Sequence, residues 1–181
     1  LLEASRTSTE LAIKLARPDM LLSEIGREIE ENMCSYEIEL DNKIHKIKPI
    51  RTLCGHEINK YMIHGNKMIP NIYMKNYDKR IGNEEFFAVE TFATTGKGLT
   101  YEDNNDCSHF MINYKKDIKK LEIVSNSKSF YKLINKYYST LAFCDRWLYN
   151  KVLGTNKLDN NKINKFINNL EKTEVIKKYP P

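Results

Sequence analysis

No stretch of this 181-residue chain stays apolar for the roughly 18–20 residues that a membrane-crossing helix needs. Cysteine is sparse: Cys34, Cys54, Cys107 and Cys144 form no CxxC pair and show no regular spacing. That pattern predicts free thiols in a reducing compartment and favours a cytosolic setting over a secreted one. The first residues, LLEASRTSTE, lack the basic start, apolar centre and small-residue cleavage site of a secretory leader. They also lack an initiator methionine and begin inside a helical pattern, so the expectation is a fragment of a longer protein. There is no internal repeat, and the asparagine richness near 156–169 is compositional bias. TTGKG lacks the upstream glycine and the following Ser or Thr of a phosphate loop, so it predicts a plain turn. What is present is ordinary for a globular protein: 29% charged and 41% hydrophobic residues. The net charge of +5 permits acidic partners, but lysine and asparagine are scattered along the whole chain and mark no single face.

Ala4, Leu11, Ala12, Leu15 and Ala16 recur at near-helical spacing, and Pro18 closes that segment. A second helix is predicted from an N-cap at Ser23, with Ile25, Ile29 and Met33 four apart on one face. At Tyr36 the period changes to two: YEIEL, a DNK turn and IHKIKPI predict a hairpin. NIYMKNYDKRIGNEE reads as a polar connection, FFAVETF as a short apolar strand broken by one acid, and TTGKGLTYEDNND as a loop. NSKSFYKLINKYYSTLAFCDRWLYNKVL and DNNKINKFINNLEKTEVI read as helical. Leu133, Ile134, Tyr137, Tyr138 and Leu141 form one predicted buried stripe, and Phe166, Ile167 and Leu170 another. KKYPP returns to extended chain.

Chemistry concentrates in LCGHEINKYMIHGNKMIP. Eight residues separate His56 from His64, about 26 Å along a straight strand. Two ligands of one ion lie within about 4 Å of each other, so the spacing predicts a division of labour unless the chain folds back sharply. One imidazole would bind metal and the other would serve a pocket. In FFAVETF, Glu90 interrupts an apolar strand. A buried unpaired carboxylate costs several kcal/mol, so the acid is either bound to a partner or cation, or faces water on an edge strand. A His and a Glu on different strands suit a borderline divalent metal such as Zn, Mn, Fe or Co. Other candidates weaken. His45 is expected in solvent, Cys107 and His109 point to opposite faces of an extended segment, and Phe143 and Trp147 are expected in the core. Lysine-rich helices with interleaved tyrosines fit a solvated face better than a nucleic-acid surface.

Taken in order, LCGHEINKYMIHGNKMIP, FFAVETFATTGKG, DCSHFM, STLAFCDRW and KKYPP resemble the type 2 methionine aminopeptidases over essentially the whole chain. The bias towards Lys and Asn also resembles that of an AT-rich protist. The resemblance implies an α+β, partial pita-bread fold: residues 1–111 from the catalytic domain, a winged-helix-like helical insertion over 112–178, and a return to the catalytic domain at 179–181. It implies removal of the initiator methionine from nascent polypeptides by a metal-activated water, with two divalent ions (Co, Mn, Fe or Zn) in the complete enzyme. Residue by residue, it makes His56 and Glu90 metal ligands, Glu90 also a proton carrier, and His64 the imidazole facing the scissile amide. Ile63, His64, Phe92, His109, Ala142 and Tyr179 would line the methionine pocket, whose apolar walls suit a thioether.

The same resemblance implies a cytoplasmic, membrane-free protein, monomeric at full length, with the ribosome or an initiation factor as a further partner. It also implies five metal ligands, of which this chain supplies two. The others, with a third active-site histidine, would lie before residue 1 and after residue 181, and the acids of YEDNND do not replace them. The isolated chain is therefore expected to be inactive, and its sheet to expose an edge. Cys54 stands where the type 2 pattern has asparagine, a change that could make the pocket thiol-reactive, and Asn59 stands where it has glycine. The competing reading is a non-catalytic pita-bread homologue that binds RNA, ribosomes or translation factors. Retention of His56, His64 and Glu90 together argues against it. A prolidase is disfavoured by IHGNK and by the segment before KKYPP.

Overall fold

A computed structural model describes residues 1–101, 107–116, 125–153 and 160–179. The chain divides into two compact units, Leu1–Tyr101 and Glu102–Pro181.

The first unit opens with α1 (Leu2–Leu15) and α2 (Leu22–Cys34). Helix α2 buries Leu22, Ile25, Ile29 and Met33 completely, the face that four-residue spacing predicts. Each such side chain contributes about 1.5–3 kcal/mol of transfer free energy. Its N-cap is Leu21, and Ser23 lies one position inside the helix and buried. The helix starts there because Leu22 N–H is taken by the Lys79 carbonyl, so no hydroxyl cap is needed. On α1 the buried positions are Ala4, Ser8 and Ala12, while Ala16 faces solvent.

The predicted hairpin forms as β1 (Glu37–Leu40) and β2 (Lys43–Lys46), paired from Glu37↔Lys46 to Leu40↔Lys43. Asp41 and Asn42 both take positive φ, 51° and 58°, the requirement of a tight hairpin turn that matches strand twist. His45 is half-buried on β2 rather than in open solvent. Strand β3 (Lys48–Pro49) pairs with β7 (Ala93–Thr94). Strand β4 (Cys54–Ile58) is central in an antiparallel trio with β5 (Met68–Pro70) and β6 (Phe86–Ala88). FFAVETF is thus not one strand: the ladder stops at Ala88 and pairing resumes at Ala93. Ile69, Ile81, Phe87 and Val89 pack with the buried face of α2.

The second unit holds β8 (His109–Ile112), α3 (Ser125–Tyr137), β9 (Phe143–Cys144), α4 (Asp145–Leu153), α5 (Asn160–Lys172) and β10 (Ile176–Lys178). The sheet runs β10-β8-β9, antiparallel throughout. Its core combines Phe110, Phe130, Ile134, Tyr138, Phe143, Leu148, Ile163, Ile167 and Leu170. The long helical run expected from residue 126 breaks after Tyr137, where Ser139 takes φ 47° and the chain turns into β9. The stripe is therefore Phe130 and Ile134 on α3, continued by Tyr138 just past its end, with Tyr137 and Leu141 exposed. Trp147 is 44% exposed, not a core residue, because it lies over the rim of the cluster against Tyr138. The second helical segment ends at Lys172, and Ile176 joins the sheet. The YEDNND acids from Glu102 to Asp106 lie outside the described residues. Among the described residues no helix is long and apolar enough to cross a membrane.

Candidate active site

Strand alternation assembles the site in the first unit. Register sets His56 opposite Ala88 on β6 and opposite Met68 on β5. Phe87 and Val89 face the apolar core, so Ala88 and, two residues on, Glu90 share the other face with His56. His56 Nε2 lies 3.5 Å from Glu90 Oε1. The imidazole is well enclosed, with 13% of its side chain exposed, while the Glu90 side chain is 42% exposed. Glycine at 55 is needed for this approach: a Cβ there would sit 2.4 Å from the Ala88 carbonyl oxygen and 3.0 Å from Glu90 N. Thr91 ties the segment carrying Glu90 to α1, donating its hydroxyl to the Ser5 carbonyl at 2.9 Å and lying 2.7 Å from the Thr9 hydroxyl.

The straight-strand premise fails for the histidines. After Ile58 the chain reverses around Tyr61 (φ 60°), with an Asn59↔Met62 bridge, and returns towards β5. The fold-back sets the His56 and His64 rings edge to face, 4.1 Å between centroids. Distance therefore does not force different jobs on them; hydrogen bonding and exposure distinguish them instead. His56 Nδ1 is 3.1 Å from the Glu57 carbonyl oxygen, which can only accept. In a neutral ring that bond places the proton on Nδ1 and turns Nε2, as an acceptor, towards Glu90, the tautomer of a metal-ligating histidine. His64 is more exposed than His56. Its pKa is held below the ordinary imidazole value by burial first and by His56 second, against the opposing pull of Glu90.

Lone pair and carboxylate face each other at 3.5 Å, a repulsive arrangement unless a proton or a cation lies between them. Two donors each about 2.1 Å from a zinc-sized ion at a tetrahedral angle lie about 3.4 Å apart. The pair thus fits two ligands of one divalent cation. Among the described residues no group of three or more His, Cys, Asp or Glu side chains could hold an ion. Cys54 sits two residues from His56, on the same strand face. Burial, and then Glu90, pushes its thiol pKa up, which keeps it protonated and weakly nucleophilic rather than thiol-reactive.

Of the predicted pocket residues, Ile63 and Phe92 are half-buried in the first unit, and the Phe92 carbonyl accepts from Ile50 N–H at 2.8 Å. His109, Ala142 and Tyr179 belong to the second. There the His109 carbonyl accepts from Tyr179 N–H at 2.9 Å, and Ala142 immediately precedes β9, whose Cys144 pairs with His109. The His109 ring lies edge-on to Trp147, 6.4 Å between centroids. Sequence reasoning missed Glu57 and Thr91. The only signal for Glu57 was an acid inside a strand, between His56 and Ile58, and for Thr91 there was none.

Curated relatives align along the whole chain. Methionine aminopeptidase 2 of Puccinia graminis f. sp. tritici is 38% identical over 181 residues, that of Lachancea thermotolerans 37% over 182, and methionine aminopeptidase 2A of Arabidopsis thaliana 39% over 182. This chain is a homologue of the type 2 methionine aminopeptidases. It spans about two fifths of the length of these aminopeptidases: 38%, 41% and 39% respectively. No family model matches. Among solved structures, that of a thermophilic Arx1 superposes with a TM-score of 0.68 at 14% identity, covering 99% of this chain and 48% of that one. At that identity the likeness shows the fold alone, a mixed helix-and-strand pita-bread architecture in common with the aminopeptidase resemblance.

Proposed function

We propose that the protein to which this chain belongs removes N-terminal methionine from nascent polypeptides by metal-dependent hydrolysis. The observation that carries the reading is the convergence of His56 Nε2, the Glu90 carboxylate and the His64 ring, in a chain 36–39% identical to enzymes of that name. His56 and Glu90 would hold one divalent cation, and the complete site would hold two, of Co, Mn, Fe or Zn. When bound, such ions supply Lewis acidity and lower the pKa of a water to near neutrality. The chain's own residues do the rest. The Glu57 carbonyl fixes the His56 tautomer. Glu90 offers its second carboxylate oxygen to carry a proton during hydrolysis. His64, kept neutral by its surroundings, can donate a hydrogen bond to the scissile amide or to the oxyanion that replaces its carbonyl. From the resemblance we carry over a methionine-binding role for Ile63 and Phe92 in the first unit, and the same role for His109, Ala142 and Tyr179 in the second. Residues 112–178 are the type 2 insertion and 179–181 the return to the catalytic domain, and four free thiols fit a cytoplasmic location.

The test is methionine release from a Met-Ala peptide with Mn or Co ions in excess. Release by the 181-residue chain, abolished by His56→Ala, supports the reading and overturns the expectation that the isolated chain is inactive. Release only by a chain extended at both ends, and lost with the same substitution, supports the reading with the remaining ligands supplied from outside residues 1–181. No release by either form sinks it. A second reading, a non-catalytic binding protein for RNA or a translation factor, draws support from the exposed lysines of α3 and α5: Lys128, Lys132, Lys136, Lys162 and Lys165. It predicts salt-sensitive RNA binding that survives His56→Ala.

A further inference from the structure

Glu57 lies on β4 beside His56 but on the opposite strand face, 7% exposed, in a position where a carboxylate must be held. Four hydrogen bonds converge on this one residue. Its carbonyl oxygen accepts from His56 Nδ1 at 3.1 Å and from Gly65 N–H at 2.7 Å. Its own N–H donates to the Lys67 carbonyl at 2.9 Å. Its carboxylate accepts from Asn66 N–H at 2.7 Å. Three of the four reach the segment that returns after the chain reversal, at the residues that follow His64 directly. The carboxylate also lies against Gly65: a Cβ there would be 2.3 Å from Glu57 Oε2 and 2.8 Å from the carboxyl carbon, and 2.7 Å from Asn59 Nδ2. Only a hydrogen fits there, so Gly65 and the side chains of Glu57 and Asn59 limit one another's size, with Glu57 the nearer.

We infer that Glu57 is the positioning residue that sets His64 against His56, through an interlock with Gly65. It touches neither metal nor substrate. The backbone bonds fix where the returning segment crosses β4, and the carboxylate, pressed on a bare Cα, fixes how closely. A larger residue at 65 is compatible only with a shorter one at 57. The inference rests on the proposed roles of the two imidazoles for its meaning, but its test needs no metal and no turnover.

The measurement is the cross-ring NOE between His56 and His64 in histidine-labelled protein, recorded beside NOEs between β4 and β6 that report folding of the sheet. Glu57→Gln, which keeps a carbonyl oxygen for Asn66 N–H, should retain the cross-ring NOE. Gly65→Ala should lose it while the β4–β6 signals persist. Glu57→Ser combined with Gly65→Ala should restore it, because the shorter side chain vacates the nearest space the methyl requires and the Asn59 amide, the far end of a flexible side chain, can turn aside. A role limited to stability would lower the melting temperature in each variant without this pattern of loss and rescue. Persistence of the NOE in Gly65→Ala, or its absence in the double variant as in the single one, overturns the inference. If Gly65→Ala unfolds the sheet, the double variant decides: recovery of both fold and NOE supports the interlock, and failure refutes it. A peptide assay that fails leaves these readouts intact, so the two proposals fall separately.

Discussion

The two units solve the folding problem with different materials. In the second, large side chains stack on one another: Tyr138 lies 5.4 Å from Phe143 and 6.2 Å from Trp147, ring centre to ring centre, and Phe130 lies 5.4 Å from Phe166. In the first, one aliphatic face of α2 covers short strands, and directional bonds do the fixing: Glu57 to Asn66, Thr91 to Ser5, Asn71 Nδ2 to the Leu53 carbonyl. Apolar packing is forgiving of small shifts, whereas a 3.5 Å approach between an imidazole and a carboxylate is not. The paired donors sit where hydrogen bonds and bare glycines set the spacing.

The largest effect expected from challenging this contrast is at Phe143, fully buried and stacked on Tyr138. Phe143→Ala should destabilise the second unit by about 3–5 kcal/mol, read from the denaturant midpoint. Gly55→Ala is the corresponding challenge to the first unit. The added methyl would be driven against the Ala88 carbonyl, and the cost is expected at about 1–3 kcal/mol, the range for overpacking. Its signature should be out of proportion to that cost: at least a tenfold loss in Mn or Co affinity, measured by titration, because the residues that hold His56 to Glu90 are displaced. A Gly55→Ala protein with unchanged metal affinity would erase the distinction drawn here.

Smaller effects sharpen it. Glu90 raises the pKa of both His64 and Cys54. Glu90→Gln should therefore move both down: the His64 titration midpoint falls further below the ordinary imidazole value, and Cys54 alkylates faster at mildly alkaline pH. An upward shift in either would contradict the assigned geometry. Smallest is the ion pair between Lys67 and Glu85, 2.5 Å apart with both side chains 22% exposed. The Lys67 ammonium, and then Gly82 N–H, holds the Glu85 pKa below its ordinary value. The folded state thus binds that proton less readily than the unfolded chain. The contribution, about 0.2–1 kcal/mol for a pair of this kind, is present above the ordinary carboxylate pKa and is lost as pH falls through the lowered one. Glu85→Gln should flatten that part of the stability profile by the same amount.

Much of this was legible in the letters. Ile25, Ile29 and Met33 announced the buried face of α2, and the Asp41–Asn42 turn announced the hairpin, because both follow from local periodicity and turn chemistry. His56, His64 and Glu90 stood out as polar groups in apolar surroundings. Their meeting did not: it depends on a reversal at Tyr61 and on β4–β6 pairing across thirty residues of chain, which no local pattern encodes. Trp147 and Tyr137 misled for the opposite reason, since helical spacing names a face but not where the helix ends. Glu57 was invisible as a functional residue because its importance lies in what it presses against.

Strand β4 is hydrogen-bonded on both edges, to β5 on one side and β6 on the other. Its amides can exchange with solvent only when a neighbour lets go, whereas the turn around Tyr61 can open without disturbing either ladder. Two imidazoles 4.1 Å apart are thus carried by backbone with different clocks. In deuterium, the residues around His56 should remain dark long after those around Tyr61 have turned over.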